Sequence, residues 1–234
     1  MSRELLQLLG NAIPSDHSKQ VNSSYYIYQM SSQHEINVLD LGCGDGNSLP
    51  TFLSQNKNTN WFGLDISDSP EVRLRNTTDS KFYTFDGVSI PFEDNTFDII
   101  YSNQVFEHVR YPQELLSEVS RVLKEDGYFI GSTSYLEPFH SFSFWNYTPY
   151  GFMILLSDAK LRLEEIRPSI DSLALIIACM FGIPKFTEKW WSHDSPLNQI
   201  IEIFGRLKKL DKSRVNSIKL MFCGQFCFLA KKVK

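Results

Sequence analysis

The sequence predicts an α/β protein with a doubly wound, Rossmann-like, mostly parallel sheet of about seven strands. Three observations predict this fold class. Short segments rich in β-branched and aromatic residues alternate with helical segments through the first half of the chain. These strand-like segments are apolar almost throughout, as expected for a sheet that helices cover on both faces. Glycine or acidic residues follow several of them, at the sheet edge where ligands of such folds bind.

Five strands are predicted in the first half, at 35–40 (EINVLD), 60–65 (NWFGLD), 81–85 (KFYTF), 97–102 (FDIIYS) and 128–133 (YFIGST). The clearest helix lies between the last two strands, over 111–127. Its apolar stripe includes Leu115, Leu116 and Val119, Pro112 fits its first turn, and Asp126 with the following glycine ends it.

The second half is less regular. It predicts a helix at 149–156, a strand at 161–167, a helical insertion over 168–217 and a final strand at 218–230. The apolar run at 172–183 is shorter than the roughly 20 residues that span a bilayer. It predicts a buried helix, with a membrane-touching helix as the alternative.

The expected organisation is therefore one domain over 1–234. Its parts are an N-terminal helical segment (1–34), a ligand-binding core (35–134), a lid with the helical insertion (135–217) and the final strand (218–230).

Composition excludes several classes of protein. An apolar content of 42% suffices for a core, and a net charge of −4 argues against a nucleic-acid partner. The N-terminus lacks the apolar stretch of a secretory signal, so we expect a cytoplasmic protein with four reduced cysteines. Cys223 and Cys227 are expected on one face of the final strand as small core residues. No histidine lies near them in sequence, so we predict no metal site.

The stretch VLDLGCGDGNSLP, at 38–50, indicates a ligand-binding loop. It lacks the lysine and hydroxyl pair of a phosphate-binding P-loop, and its G-x-G-x-G spacing differs from the G-x-G-x-x-G of dinucleotide-binding folds. Asp40 and Asp45 beside the glycines would repel a pyrophosphate. The loop therefore favours a ligand that carries positive charge, such as S-adenosylmethionine.

Acidic residues follow the next two strands as well. Asp65 is placed to accept both hydroxyls of a ribose, Asp86 to accept from an adenine amine, and Ile66 to flank the adenine ring. Each acid has a simpler explanation as a helix cap or turn residue. Because three acids occur at successive strand ends, a shared binding site is favoured over three separate cap or turn roles.

The motifs VLDLGCGDG, FGLDIS, FDGVSIPFEDNTFDIIYSNQVFEHV and EVSRVLKEDGYFI closely resemble the class I S-adenosylmethionine-dependent methyltransferases, in particular the small-molecule subgroup called type 11. The resemblance covers about 36–133. It implies S-adenosyl-L-methionine as donor, S-adenosyl-L-homocysteine as product, and a final antiparallel strand. The predicted cofactor-binding residues are Asp40, Gly42, Cys43, Gly44, Asp65, Ile66, Asp86, Gly87, Asn103 and Gln104.

A hydroxyl acceptor also needs a base for its proton. His108 and His140 are the candidates, although each has an equally good structural role, in orienting a helix and in packing among aromatic rings. The segment 135–152, here called the lid segment, carries eight aromatic residues, which suits a wall of an acceptor pocket. The expected acceptor is a hydroxyl or amine of a natural product, sugar or lipid-linked metabolite.

Three alternatives to this function are considered. A nucleic-acid methyltransferase of this family would usually carry Asn/Asp-Pro-Pro-aromatic where this chain has SNQVF. A nicotinamide dehydrogenase is disfavoured by the glycine spacing. A cofactor-binding sensor or scaffold without transfer activity stays open. No transmembrane segment is predicted, and peripheral contact with a membrane or lipid stays open too.

Overall fold

A computed structural model describes residues 2–30, 34–75, 81–182 and 184–233. A seven-stranded sheet in the order β3-β2-β1-β4-β5-β7-β6 forms its centre. Neighbouring strands from β3 to β5 are parallel, and β7 runs antiparallel to both β5 and β6. The predicted fold class and the antiparallel final strand are confirmed. The strands are β1 (Ile36–Leu41), β2 (Thr59–Ile66), β3 (Phe82–Phe85), β4 (Phe97–Asn103), β5 (Leu123–Ser134), β6 (Leu161–Pro168) and β7 (Gln225–Lys232).

Helices cover both faces of this sheet. They are α1 (Ser2–Leu9), α2 (Tyr25–Gln29), α3 (Leu49–Gln55), α4 (Pro112–Val122), α5 (Pro149–Asp158), α6 (Ser172–Phe181), α7 (Pro196–Leu207) and α8 (Lys212–Phe222). Among them, α5 and α8 pack against the edge strand β6 of the sheet. The predicted helix at 111–127 is too long, because β5 begins at Leu123 and pairs there with Phe97. Asp126 lies within β5 and has a positive φ of 63°.

The strand order reverses at β1. The chain proceeds from β1 to β2 and β3 on one side, and β4 and β5 lie on the other side. In folds of this kind, ligands bind at the carboxyl edge of the sheet beside such a reversal, here next to the loops that follow β1 and β4. We call this edge the crevice. The predicted cofactor-binding residues lie at this edge, at the ends of β1, β2, β3 and β4 or directly after them.

The final strand is shorter than predicted. Residues 218–222 belong to α8, and β7 begins only at Gln225. Asp211 starts the helix by accepting a hydrogen bond from the Arg214 amide at 2.8 Å. Cys223 consequently lies at the end of α8 and does not share a strand face with Cys227, although both are buried free thiols.

Helix α6 is less buried than its apolar sequence suggests. Only Ala174, Leu175 and Ala178 are buried, whereas Met180 is 73% exposed. Residue 183, at the end of the predicted helix, lies outside the described residues. No helix within the described ranges combines the length and apolarity that a bilayer-spanning helix needs.

A buried lysine fastens the N-terminal segment to the helical insertion. Lys219 of α8 is fully buried, and its Nζ donates to the Ser18 carbonyl oxygen at 2.6 Å. The same Nζ lies 3.2 Å from an Asp194 carboxylate oxygen and 3.5 Å from one of Glu202. One cation therefore neutralises two acids of the insertion.

Replacing Lys219 by methionine is expected to lower the free energy of unfolding by about 3 kcal/mol, because both acids lose their buried counterion. Urea denaturation measures this loss. Lys212→Met is the matched control, since Lys212 contacts the same Glu202 at 3.3 Å but its side chain is 46% exposed. It should cost less than about 1 kcal/mol. Equal losses in the two variants would contradict the assignment.

Candidate active site

The glycine loop after β1 contacts the loop after β4. Gly42 has a φ of +72°, and its amide donates to the Leu64 carbonyl oxygen at 2.8 Å. A Cβ at Gly42 would overlap the side chain of Val105. Glycine is thus required both by the turn and by the close approach of the loop after β4.

Asp65 holds the glycine loop from the end of β2. One carboxylate oxygen accepts from the Gly44 amide at 2.7 Å, and the other accepts from the Ile66 amide at 2.8 Å. Burial raises the pKa of Asp65, while these two amides act in the opposite direction. The carboxylate is therefore fixed beside the backbone that the sequence predicts as the ligand-binding loop.

Asp40 is the second buried acid of the crevice. It ends β1, is 3% exposed, and accepts a hydrogen bond from the Ser48 hydroxyl at 2.5 Å. Burial raises the pKa of Asp40 to about 7, and the charges of Asp65 and Asp45 contribute in the same direction. No lysine or arginine forms an ion pair with Asp40 among the described residues, so an added cation would stabilise its ionised form.

The predicted adenine-side residues lie together at the ends of β2 and β3. Ile66 is 41% exposed, and a Cβ at Gly87 would lie 3.9 Å from its side chain. Asp86 is exposed and accepts from the amides of Val88 and Ser89 at 2.8 and 2.6 Å. These amides lower the pKa of Asp86. This turn geometry is the simpler role foreseen for Asp86, and it leaves the carboxylate open to solvent.

Asn103 and Gln104 follow β4 and are tied to β5. The Ser132 hydroxyl donates to the Asn103 side-chain oxygen at 2.7 Å, and the Gln104 side-chain nitrogen donates to that hydroxyl at 3.0 Å. Gln104 has a φ of +54°, so the chain turns sharply here into the loop that meets Gly42.

Sequence reasoning missed Arg75. Its guanidinium donates to the Gly44 carbonyl oxygen at 2.7 Å, contacts the Cys43 sulfur at 3.3 Å, and lies 4.3 Å from the centre of the Phe82 ring. Burial raises the pKa of Cys43, so this thiol stays neutral. Nothing in the irregular segment between β2 and β3 marks Arg75 as a neighbour of the glycine loop.

The two candidate bases are neighbours. The rings of His108 and His140 lie 5.2 Å apart between centroids at an interplanar angle of 89°. Together with Glu107, they place one ligand-type atom each within 4.8 Å of one another. We call Glu107, His108 and His140 the acid–histidine cluster. Since the His108 amide donates to the Val105 carbonyl oxygen at 2.9 Å, the cluster adjoins the loop that covers Gly42.

Glu107 is a second residue that sequence reasoning missed, although it stands directly before His108. It is fully buried and accepts from the Thr133 and Ser134 hydroxyls at 2.9 and 3.2 Å. Burial raises the pKa of Glu107 to about 7. Burial, together with the neighbouring His140, lowers the pKa of His108. Glu107 therefore changes protonation near neutral pH.

The lid segment divides into core and surface residues. Phe152 and Tyr147 are buried, and the Tyr147 hydroxyl donates to the Phe106 carbonyl oxygen at 3.0 Å. Phe139 and Phe142 are 80% and 82% exposed. The segment is thus anchored beside the acid–histidine cluster and presents aromatic rings to solvent.

Comparisons with known proteins identify similar sequences and a similar fold. Residues 39–131 match the sequence profile of the methyltransferase domain family. The sterol 24-C-methyltransferase erg6 of Schizosaccharomyces pombe is 33% identical over 112 residues, which are 45% of this chain and 29% of that protein. The human mitochondrial arginine-hydroxylase NDUFAF5 is 32% identical over 99 residues, which are 41% of this chain and 28% of that protein. This chain therefore spans less than a third of either relative.

Among solved structures, a protein from Galdieria sulphuraria described as a candidate sarcosine dimethylglycine methyltransferase aligns over 99% of this chain and 97% of its own. The TM-score is 0.61 and the identity is 16%, a likeness that shows the fold. The profile match covers the glycine loop, Asp65, Asp86 and β4, the same elements that form the crevice. Residues 39–131 are thus similar to the methyltransferase domain family, and the chain as a whole has the Rossmann-like fold of solved methyltransferase structures.

Proposed function

We propose that the protein transfers the methyl group of S-adenosylmethionine to an oxygen or nitrogen of a small-molecule acceptor. The observation that carries the proposal is the pair of buried carboxylates, Asp40 and Asp65, on either side of the glycine loop. Two acids in this position repel a phosphate and attract a ligand with ammonium and sulfonium charges.

Each predicted cofactor residue has a role in this proposal. Asp65 accepts the ribose hydroxyls with the lone pairs that Gly44 and Ile66 leave free. Asp40 faces the ammonium of the methionine part. Ile66 and Asp86 bound the adenine ring, because both are exposed at neighbouring strand ends. The wall of the cofactor site is completed by loop residues, namely Gly42, Cys43, Gly87, Asn103 and Gln104.

The acceptor is expected to be partly apolar. A cavity of about 620 Å³ lies between the lid segment and α6, lined by Tyr135, Leu136, Glu137, Pro138, Asn146, Ile176, Cys179 and Met180. Its apolar walls and the exposed rings of the lid segment suit an aromatic natural product or a lipid-linked metabolite.

Methyl transfer requires the protein to align the two substrates and to help remove a proton. The sulfonium is already activated, so the enzyme must hold donor and acceptor in line and exclude water. A hydroxyl acceptor loses its proton during transfer, and the acid–histidine cluster is the group beside the crevice that can assist.

The raised pKa of Asp40 predicts a pH-dependent affinity. Because this pKa is about 7, the carboxyl is largely protonated at pH 6 in the free protein. A bound ammonium favours the ionised form, so binding releases a proton. The affinity for S-adenosylmethionine should fall as the pH drops below 7, by up to about tenfold per pH unit. The same shift implies that the ligand-free protein loses stability as the pH rises from about 4 towards 7.

Calorimetry between pH 5.5 and 7, in buffers of different ionisation enthalpy, measures both affinity and proton release. Asp40→Asn should bind more weakly at pH 7, with an affinity independent of pH. A wild-type affinity that is flat over this range would remove Asp40 from the ammonium site.

The second candidate function is cofactor binding without methyl transfer. It is favoured by one comparison, because NDUFAF5 matches over 99 residues yet is named for arginine hydroxylation. Incubation with S-adenosylmethionine and panels of phenols, sugars and amines separates the two functions. Formation of S-adenosylhomocysteine with an acceptor supports transfer, whereas tight donor binding without product across all panels supports a sensor.

A further inference from the structure

The acid–histidine cluster has free ligand atoms that converge. The Nδ1 atom of His140 lies 3.3 Å from the Pro138 carbonyl oxygen, to which an N–H at this position donates. The Nε2 atom of His140 is then left to bind a ligand. The Nδ1 atom of His108 is buried without a hydrogen-bond partner of ordinary geometry among the described residues. Such an atom in a folded protein calls for an explanation, and a bound ligand is one.

The charges around the cluster point to a cation. Glu107 is fully buried, and no lysine or arginine pairs with it within the described ranges. A second acid, Glu137, has one carboxylate oxygen 2.5 Å from the same Ser134 hydroxyl oxygen and the other 3.9 Å from His140 Nδ1. In the part of the chain that the structure describes, these two carboxylates and two imidazoles have no arginine or lysine partner, so the site is electrostatically incomplete.

We propose that Glu107, His108 and His140 bind a divalent transition-metal ion. Two imidazole nitrogens and one carboxylate oxygen are a donor set that suits Zn²⁺, Mn²⁺ or Fe²⁺ better than Mg²⁺ or Ca²⁺. Zn²⁺ binds such atoms at about 2.0–2.2 Å, so ligand atoms already within 4.8 Å of one another need only a small contraction. The contact between His140 Nδ1 and the Pro138 carbonyl is the outer hydrogen bond that orients a metal-bound histidine.

The role of this ion follows from its place beside the crevice and rests on the proposed function. The ion has open positions on the side that the three residues do not occupy, and an acceptor hydroxyl binds there. Its proton passes to solvent, because a divalent ion lowers the pKa of a bound hydroxyl. The oxygen then forms the O–CH₃ bond as the S–CH₃ bond breaks, and the electron pair stays on sulfur in S-adenosylhomocysteine. In this arrangement the histidines are ligands rather than bases.

The experiment is calorimetry with Zn²⁺ on the full, untagged chain after treatment with EDTA, with Co²⁺ absorption as a second readout. Because the exposed Cys179 is a competing thiol ligand, Cys179→Ser is titrated as a separate variant beside the wild-type parent and should bind the ion like the parent. The parent is expected to bind one ion per chain. His108→Gln and His140→Gln should each weaken binding by at least about tenfold and remove the visible Co²⁺ band. His193→Gln, on an exposed turn, is the matched control and should bind like the parent.

Circular dichroism establishes that each variant is folded. Saturable binding that both cluster variants lose and the control keeps supports the site. Absence of saturable binding by the folded parent, or equal affinity in all variants, overturns it. The affinity for S-adenosylmethionine is measured on the same EDTA-treated samples. Donor binding with full transfer and no metal binding would overturn the metal site and keep the proposed function, whereas metal binding without donor binding would support the site and reject that function.

Discussion

Replacing Asp65 by asparagine is expected to weaken the binding of S-adenosylhomocysteine about 100-fold. A charge-assisted hydrogen bond contributes about 1.5–3 kcal/mol, so two ribose hydroxyls that lose the carboxylate cost about 3 kcal/mol in total. In the wild type, the backbone N–H groups of Gly44 and Ile66 both donate to the carboxylate. The side-chain oxygen of asparagine can still accept from one of them. Removing a partly buried charge spares its desolvation cost, so the variant should stay folded. Isothermal titration calorimetry measures the affinity.

The matched control is Asp68→Asn. Asp68 is exposed, and its carboxylate binds the guanidinium of exposed Arg73 at 2.7 Å instead of the glycine loop. Its affinity for S-adenosylhomocysteine should match that of the wild type within about twofold. If Asp65→Asn bound as tightly as this control, the ribose assignment would be wrong while the fold assignment would stand.

The largest effect on stability is expected for Gly131→Ala. Gly131 lies in β5 opposite Ser102 of β4, and a Cβ there would overlap the carbonyl oxygen and carbon of Ser102. Backbone atoms of a central strand pair cannot move aside as a flexible side chain can. We expect a loss of about 4 kcal/mol or more, a substantial part of the roughly 5–15 kcal/mol by which domains are stable.

Gly182→Ala provides the comparison for Gly131→Ala in thermal and urea denaturation. Gly182 ends α6 with a φ of +61°, and among the described residues no atom beyond its immediate chain neighbours and the nearby helix backbone lies within 4 Å of the position of an added Cβ. Alanine there should lower the free energy of unfolding by only about 1–2 kcal/mol, because the sole penalty is the left-handed backbone conformation. Comparable losses at the two positions would show that the strand pair accommodates the methyl group.

The sheet could be predicted from the sequence because its strands are continuous apolar runs. The runs at β1, β2 and β4 are buried on both faces, so burial alone decides their structure and their ends were located within about one residue. The same argument failed at 218–222, where apolar residues alternate but form the last turns of α8. There, the cap at Asp211 and the buried ion pairs of Lys219 stabilise the helix. Such contacts are distant in sequence and leave no local pattern.

The site shows the same division. Asp40, Gly42 and Asp65 were predicted because the carboxyl ends of parallel strands meet at one edge whatever the loops do. Arg75 and Glu107 were not predicted, because their contacts with Gly44 and with Thr133 depend on how irregular segments fold over the sheet.

By itself, the sequence determined the sheet, its glycine loop and the acids at its carboxyl edge, since hydrophobic periodicity and turn chemistry are local properties of the chain. Only the tertiary structure decided that Glu107 and His108 meet His140, and that α6 exposes much of its apolar surface. The physical reason is that burial and charge pairing between distant segments depend on the packing of the whole chain, which no short stretch of residues encodes.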